Sequence, residues 1–386
     1  MRVVVTVQPA DGHLNPLLGL TAALRAAGHE VRIATSPAFV DRVEGRGERA
    51  HGVGRAWLES GPLEEPPTPE DEAAGVGAQF HRMFLRAQAL AAATDLLDLI
   101  DDLRPDLVIR EDAEFAGALV AERRGIPWAT FALSFPFSKA ELWHLPLVDG
   151  LDDFDLLRAN FDLPPADGSW FDGQLHICTL PAEYRSTSTV EVPQIHVRPN
   201  VLDVVDDAVV PSWVGDLDGA VYVSFGTVFP GWFPDVVSVA ARGAADVGAP
   251  TVVTTGPSVT RSALTLPTAP HVRLEDYVPQ GPVLDRCRAV VCHGGTGTTL
   301  GALARGVPVV AVPLGADQFD HGEAITANEA GIVLDARTMT PDVVASAVRT
   351  VLDEPSYAAG AQRLRAAFAA LPGPEAAVAP LEALVD

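Results

Sequence analysis

Twice along this chain, a short and wholly apolar run passes through a glycine- or proline-marked loop into a helix-period stripe and then into another apolar run. An apolar run without alternation is what a strand buried on both faces of a parallel sheet requires, and its parallel neighbour is reached only through a crossover, usually a helix. Valines at 3, 4, 5 and 7 make the first such strand, followed by a loop over residues 8–13. Asn15 and Pro16 then read as the N-cap and first position of a helix with Leu17, Leu18, Leu20, Leu24 and Ala27 as its buried stripe. Gly28 ends that helix, and VRIAT from Val31 is the next strand. The pattern returns as a strand at 106–109, a helix at 115–124, a stop at Gly125 and a strand at 128–132. The first half is therefore expected to be a doubly wound α/β domain.

The second half starts the same pattern afresh. AVYVSF from Ala220 is a strand, 236–247 a helix and PTVVTT from Pro250 a strand; AVVCH from Ala289, a helix over 298–305, VPVVAVP from Val307 and a helix near 320–330 follow. At 386 residues the chain is too long for one ordinary core. The pattern predicts two Rossmann-like doubly wound parallel-sheet domains of α/β class, an N-terminal one over 1–205 and a C-terminal one over 206–371. The stretch 192–214, rich in Pro, Asp and Val without periodicity, reads as the linker. The acidic, proline-rich segment 60–77 reads as a solvated loop or a flap over a substrate cleft.

Charge narrows the partners. Against 51 acidic residues stand 27 basic ones, a formal net charge of −24, which disfavours nucleic acid and anionic membrane. The apolar run at the N-terminus is too brief for a signal peptide or a membrane span, and no later run reaches spanning length without a charge or proline, so a soluble, cytoplasmic protein is expected. Cys178, Cys287 and Cys292 fit neither a disulfide framework nor a metal-binding pair.

The segment richest in chemistry is His293-Gly294-Gly295-Thr296-Gly297-Thr298-Thr299, set between a predicted strand and a predicted helix. Glycines let backbone approach a ligand, and free N–H groups at a helix start attract an anion such as a pyrophosphate. The histidine and the threonine hydroxyls add hydrogen-bond donors. The Walker pattern is absent, since no GK[ST] occurs, and a dinucleotide fingerprint is missing because the loop lacks G-x-G-x-x-G. Residues 287–316 hold no Asp or Glu but include Arg288, His293 and Arg305, so the globally acidic chain keeps this loop open to a polyanion.

The stretch HGGTGTTLGALARGVPVVAVPLGADQ over 293–318 resembles the donor-binding signature of family 1 glycosyltransferases of the GT-B fold, particularly the bacterial enzymes that glycosylate macrolide and polyketide antibiotics. GHLNP at 12–16, PDLVIRED at 105–112, VSFGT at 223–227 and YVPQ at 277–280 extend the likeness over nearly the whole chain. The resemblance implies two domains facing across a cleft, with a C-terminal helix over 372–386 packing back on the first. It implies that Gly226, Thr227, His293, Gly295, Thr296, Gly297 and Thr298 hold the donor diphosphate, that Val278 and Gln280 lie at the nucleoside, and that Asp317 and Gln318 bond the sugar hydroxyls. His13 is the implied general base, oriented by Glu111 or by Asp112. Phe80, Phe84, Phe135 and Trp143 are expected at the acceptor.

Such a base removes the acceptor proton as the hydroxyl attacks the anomeric carbon opposite the leaving nucleotide, which inverts the configuration. No metal is expected, since the helix start and histidine stand in for a cation; Asp153-Phe154-Asp155 and Asp216-Leu217-Asp218 read as solvated acids. No cofactor is expected beyond the nucleotide-sugar co-substrate. Two positions depart from the family pattern. Gly301 stands where UDP-sugar users often carry a glutamate for the ribose hydroxyls, which favours a dTDP donor; His321 replaces an asparagine in the segment following Asp317-Gln318. The expected partners are a nucleotide sugar, a deoxysugar donor favoured, and a hydrophobic small-molecule aglycone; a homodimer is left open. The competing readings are a nucleotide-sugar 2-epimerase-like isomerase, which would release a new sugar isomer without an acceptor, and a non-catalytic binding partner.

Overall fold

Val3 and Val5 of β1 (Arg2–Thr6) share a core with Leu14, Leu17 and Leu20 of the Asp11–Ala26 helix, while Val4 between them joins a second core with the Leu90–Leu103 and Ala116–Arg124 helices. One strand is thus buried on both faces, as its unbroken run of valines requires. β4 (Leu107–Glu111) repeats the arrangement, with Leu107 and Ile109 on one face and Val108 on the other. Each fully buried side chain of this kind contributes about 1.5–3 kcal/mol over leaving it in water. These relations come from a computed structural model, which describes residues 1–56, 88–135, 155, 157–165, 173–184, 190, 192–200, 210–227 and 229–386.

The first sheet adds β2 (Glu30–Thr35), β3 (Ala50–Gly52), β5 (Trp128–Phe131), β6 (Leu175–Cys178) and β7 (Gln194–His196), in the order β3-β2-β1-β4-β5-β6-β7. The second consists of β8 (Ala220–Ser224), β9 (Thr251–Thr254), β10 (Val272–Glu275), β11 (Cys287–Cys292), β12 (Val309–Ala311) and β13 (Gly331–Val333), in the order β10-β9-β8-β11-β12-β13. Every pairing in both is parallel. Two doubly wound α/β sheets are the architecture the alternating pattern predicts. Helices Pro234–Ala245 and Pro341–Asp353 cover one face of the second sheet, with Val237, Ala241, Val344 and Val348 against Val221, Val223 and Val291.

Two compact units result, one comprising Met1–Leu180, Thr187–Pro199 and Pro372–Asp386, the other Pro181–Ser186 and Asn200–Leu371. In the first unit Ala377, Val378 and Leu381 of the C-terminal segment are buried in the same core as Leu17 and Leu20.

The structure corrects the reading of two segments. The stretch 192–214 is more than a linker, because Gln194–His196 forms the edge strand β7 on β6. The first helix begins at Asp11 rather than after Asn15, with Ala10 in extended conformation as its N-cap and Pro16 inside it. Pro16 has no N–H to reach the carbonyl of Gly12, an exposed residue, so the helix runs on without that hydrogen bond. Asp11 favours the earlier start through the helix dipole, and it pairs with Arg42. The predicted loop 60–77 and Asp153-Phe154 lie outside the described residues.

Candidate active site

In each sheet the strand order reverses beside the first strand of that half: β1 lies between β2 and β4, and β8 between β9 and β11. Ligands of open parallel sheets bind beyond the carboxyl ends of the strands at such a reversal, because the crossovers leave there on opposite faces and open a crevice. The first reversal places the loop after β1 beside the end of β4. The second places the loop after β8 beside the end of β11.

At the first reversal His13 occupies the opening turn of the Asp11–Ala26 helix, and Glu111 is the last residue of β4. His13 Nδ1 lies 2.9 Å from Glu111 Oε1. That carboxylate is fully buried, and its oxygens also accept from the backbone N–H of Gln8 at 3.2 Å and of Ala113 at 2.6 Å. A carboxylate so held can only accept, so Nδ1 carries a ring hydrogen, and in the neutral ring Nε2 keeps its lone pair. The imidazole is 22% exposed. Asp112, the other sequence candidate, makes no such contact with the ring: it is buried, and desolvation together with the neighbouring Glu111 charge pushes its carboxyl well above the usual range. Glu114 is a third buried acid, and it caps the Ala116–Arg124 helix by accepting from the N–H groups of Ala116 and Gly117. The Arg110 guanidinium beneath donates to the carbonyls of Asp112 and Glu114, fixing the backbone of the loop that follows β4.

At the second reversal His293 follows β11 and packs on two glycines. A Cβ at Gly295 would sit 2.3 Å from His293 Nε2, and one at Gly226, where φ is +75°, would sit 3.1 Å from Cε1. The rings of Phe225 and Phe229 lie 6.2 and 5.4 Å from the imidazole, centroid to centroid. Burial drives His293 down to about 4, so the imidazole is neutral near pH 7. Gly295 is the extended N-cap of the Thr296–Leu303 helix, leaving the first-turn N–H groups of Thr296, Gly297 and Thr298 outside the helical ladder, as an anion site requires. The threonine hydroxyls behave otherwise than as donors to a ligand. Thr296 Oγ1 donates to Asp317 Oδ2 at 2.5 Å, Thr298 Oγ1 donates to Gln280 Oε1 at 3.0 Å, and Thr299 is buried against the Cys292 thiol. Backbone amides are what this loop presents.

Asp317 caps the Gln318–Ala327 helix and follows Ala316, whose φ of +53° is unusual for a residue with a Cβ. Gln318 holds that turn: buried, it accepts at Oε1 from the N–H groups of Leu314 at 2.7 Å and Gly315 at 3.1 Å. His321 lies behind Asp317, with Nε2 3.1 Å from Thr296 Oγ1 and 3.4 Å from Asp317 Oδ2. Its Nδ1 is 2.8 Å from the hydroxyl of Tyr184. Tyr184 carries no signal in the sequence, because it lies in a short segment between β6 and β7 without motif or periodicity. Gln280 opens the short Gln280–Leu284 helix, and a Cβ at Gly301 would meet its Nε2 at 2.9 Å and Leu284 Cδ1 at 3.0 Å. Val278 is buried and Thr227 sits just after Gly226 in the loop following β8. Of the expected acceptor residues Phe135 is buried, while Phe80, Phe84 and Trp143 lie outside the described residues. Among the described residues no three His, Cys, Asp or Glu side chains gather as a metal site, and no helix is long and apolar enough to cross a membrane.

Comparison with known proteins gives a consistent picture. A family model described as the C-terminal domain of erythromycin biosynthesis protein CIII-like proteins matches residues 241–384. The 4'-demethylrebeccamycin synthase of Lentzea aerocolonigenes is 30% identical over 100% of this chain and 99% of its own length. Aklavinone 7-beta-L-rhodosaminyltransferase of Streptomyces galilaeus is 30% identical over 100% of this chain and 96% of its own. Among solved structures, the Streptomyces sp. SF2575 glycosyltransferase SsfS6 complexed with thymidine diphosphate superposes with a TM-score of 0.74 at 28% identity, covering 99% of each chain.

Proposed function

Since the chain belongs to the family 1 natural-product glycosyltransferases of the GT-B fold and is itself a glycosyltransferase, we propose that it moves a deoxysugar from a dTDP donor to a hydrophobic aglycone, with inversion and with His13 as general base. The observation that carries the reading is the bond between His13 Nδ1 and the buried Glu111 carboxylate. It fixes the tautomer in which Nε2 accepts a proton, and it places a fixed negative charge beside the imidazolium that forms. In the proposed step an acceptor hydroxyl loses its proton to Nε2 as its oxygen bonds to the anomeric carbon. The bond from that carbon to the diphosphate oxygen breaks, and the electron pair leaves with the nucleotide. Opposite-side attack inverts the configuration.

The backbone N–H groups of Thr296, Gly297 and Thr298 and the neutral His293 are the proposed donors to the departing diphosphate. Two features support dTDP. Gly301 offers no acid to a ribose 2′-hydroxyl, and the space a side chain would need there holds Gln280 and Leu284; SsfS6, a structural relative, was solved with thymidine diphosphate. The names of the relatives support a natural-product acceptor, and Asp317 beside the diphosphate loop is the proposed partner of the sugar hydroxyls.

The test incubates the purified protein with dTDP- and UDP-linked sugars and a panel of polyketide and indolocarbazole aglycones, reading glycosylated product by mass spectrometry. Product from dTDP donors with inverted anomeric configuration, abolished in His13→Ala, is expected. Transfer that survives His13→Ala, or a uniform preference for UDP donors, would overturn the proposal.

A further inference from the structure

We propose that Tyr184 and His321 are positioning residues for the donor sugar, which act through Thr296 to hold the Asp317 carboxylate and tie it to the first turn of the diphosphate-binding helix. The inference rests on the reading of Asp317 and of the 293–299 loop given above, and extends it to two side chains remote from any ligand. The His321 side chain is fully buried and Tyr184 nearly so, which keeps both from touching substrate.

With a neutral His321 ring, counting hydrogens gives the direction of every bond. Thr296 has one hydroxyl hydrogen, and at 2.5 Å from a carboxylate oxygen, which can only accept, that hydrogen points at Asp317. The oxygen of Thr296 is then an acceptor for its other neighbour, so His321 Nε2, 3.1 Å away, carries the ring hydrogen. In a neutral ring that leaves Nδ1 as an acceptor, and the Tyr184 hydroxyl donates to it at 2.8 Å. Burial raises the Tyr184 phenol far above its ordinary range, so that hydrogen is always present. The result is one aligned series, from Tyr184 to His321 to Thr296 to Asp317. Hydrogen bonds in such a series polarise and reinforce one another.

The series does what no single contact could. The backbone of Asp317 is set by Gln318, which pins residues 314 and 315 around the left-handed Ala316. Its side chain is set separately, by Thr296. Thr296 is also the first residue of the helix whose N–H groups face the diphosphate, so the sugar-binding acid and the phosphate-binding turn share one side chain. His321 explains itself in this setting. An imidazole accepts on one edge and donates on the other, joining Tyr184 to Thr296. Tyr184 is packed against the ring of Phe368 at 6.0 Å, so the series starts from a fixed point in the core of the second unit.

Calorimetry with dTDP and with dTDP-glucose separates this role from a merely structural one. Tyr184→Phe should weaken dTDP-glucose about tenfold, the usual scale of one buried hydrogen bond, and leave dTDP within about twofold, while Thr296→Val, which lies in the diphosphate turn itself, should weaken dTDP-glucose more than dTDP. Thr296→Ser, which keeps the hydroxyl, should restore the preference for dTDP-glucose. Equal weakening of both ligands, or no change in either, would overturn the proposal. Long-range 1H–15N spectra of His321 give a readout independent of any donor and of how well the variants fold. The Nε2–H tautomer is expected in the wild-type protein, and an Nδ1–H tautomer would refute the series outright. Should wild-type protein bind neither nucleotide, the donor-site reading itself fails, whatever tautomer His321 shows.

Discussion

Glu111 Oε1 lies 2.9 Å from His13 Nδ1 although 98 positions separate the two residues in the chain. Topology makes the contact: β1 and β4 are parallel neighbours, so the loop leaving one ends beside the last residue of the other. The second sheet repeats the construction, bringing the Gly226 turn after β8 against His293 after β11. Each half of the chain therefore carries an imidazole at its own strand-order reversal, and the two differ in environment. His13 is partly exposed and paired with a carboxylate, which suits a base that must take up a proton. His293 is buried and driven down to about 4, which suits a neutral hydrogen-bond donor.

If Glu111 both fixes the tautomer and stabilises the protonated ring, Glu111→Gln should lower kcat by about 10²–10⁴-fold, the scale of a general base and its orienting group. The affinity for dTDP should hardly change, because the donor loop belongs to the other unit. Because the pair works as one device, the double variant with His13→Ala should be no slower than His13→Ala alone. Turnover measured across this double-mutant cycle checks the claim, and additive losses would contradict it.

Gly295 is the tightest point of the proposed donor loop. An added methyl would sit 2.3 Å from His293 Nε2 and 2.8 Å from Cε1, and Phe225 and Phe229 flank the ring. Gly295→Ala should cost about 1–3 kcal/mol of stability through overpacking and weaken dTDP more than tenfold. Gly297, where an added methyl would meet nothing within 4 Å, should accept alanine with its melting temperature unchanged. Thermal melts and dTDP titrations of the two variants decide the matter.

Much of this was legible beforehand because the sequence writes strands buried on both faces as unbroken apolar runs. The Val3–Val5 run and the Leu107–Ile109 run could hardly have been anything else. The glycine loop at 293–297 was visible for the same reason, since close backbone approach leaves glycines behind. Less legible was anything decided across a long sequence gap. Glu111 and Asp112 are adjacent acids, and only the fold decides that the first bonds the His13 ring while the second is buried near it without such a bond. Pro16 reads locally as a helix start, yet the helix begins at Asp11 and runs through it. The edge strand β7 has three half-buried residues and so carries no strong pattern. The direction of the Thr296 and Thr298 hydroxyls, which turn to protein acceptors, has no signature in sequence at all.

Each unit holds a buried histidine that resists protonation. Desolvation lowers His176 in the first unit to about 3 and His293 in the second to about 4, against 6.5 for a free imidazole. Below pH 6.5 the unfolded chain takes up these protons while the folded one does not, so stability falls as pH drops, until the folded values are reached. Each group contributes up to about 1.4 kcal/mol per pH unit within that window. Denaturant unfolding at about pH 7 and about pH 5 should show the second unit's transition shifted to a lower midpoint at the lower pH, whereas in the first unit the raised carboxyls of Asp112 and Glu114, which take up protons in the folded state, oppose His176. An unchanged midpoint for the second unit would show that His293 is not held neutral by burial.

The C-terminal segment offers a test of the first unit's construction. Leu381 is fully buried with Ala377 in the core formed by Leu17, Leu20 and Leu24 of the Asp11–Ala26 helix, the helix whose first turn carries His13. Removing its side chain leaves a cavity that flanking residues fill only partly, so Leu381→Ala should destabilise the first unit by about 2–5 kcal/mol. Because this packing lies on the face of β1 that also holds Val3 and Val5, the loss should register at the His13 end of the helix as a lower kcat, with dTDP affinity unchanged. Unfolding curves and steady-state kinetics on the same preparation check both halves of the expectation. A variant that melts normally would mean that the segment leaves the core at little cost.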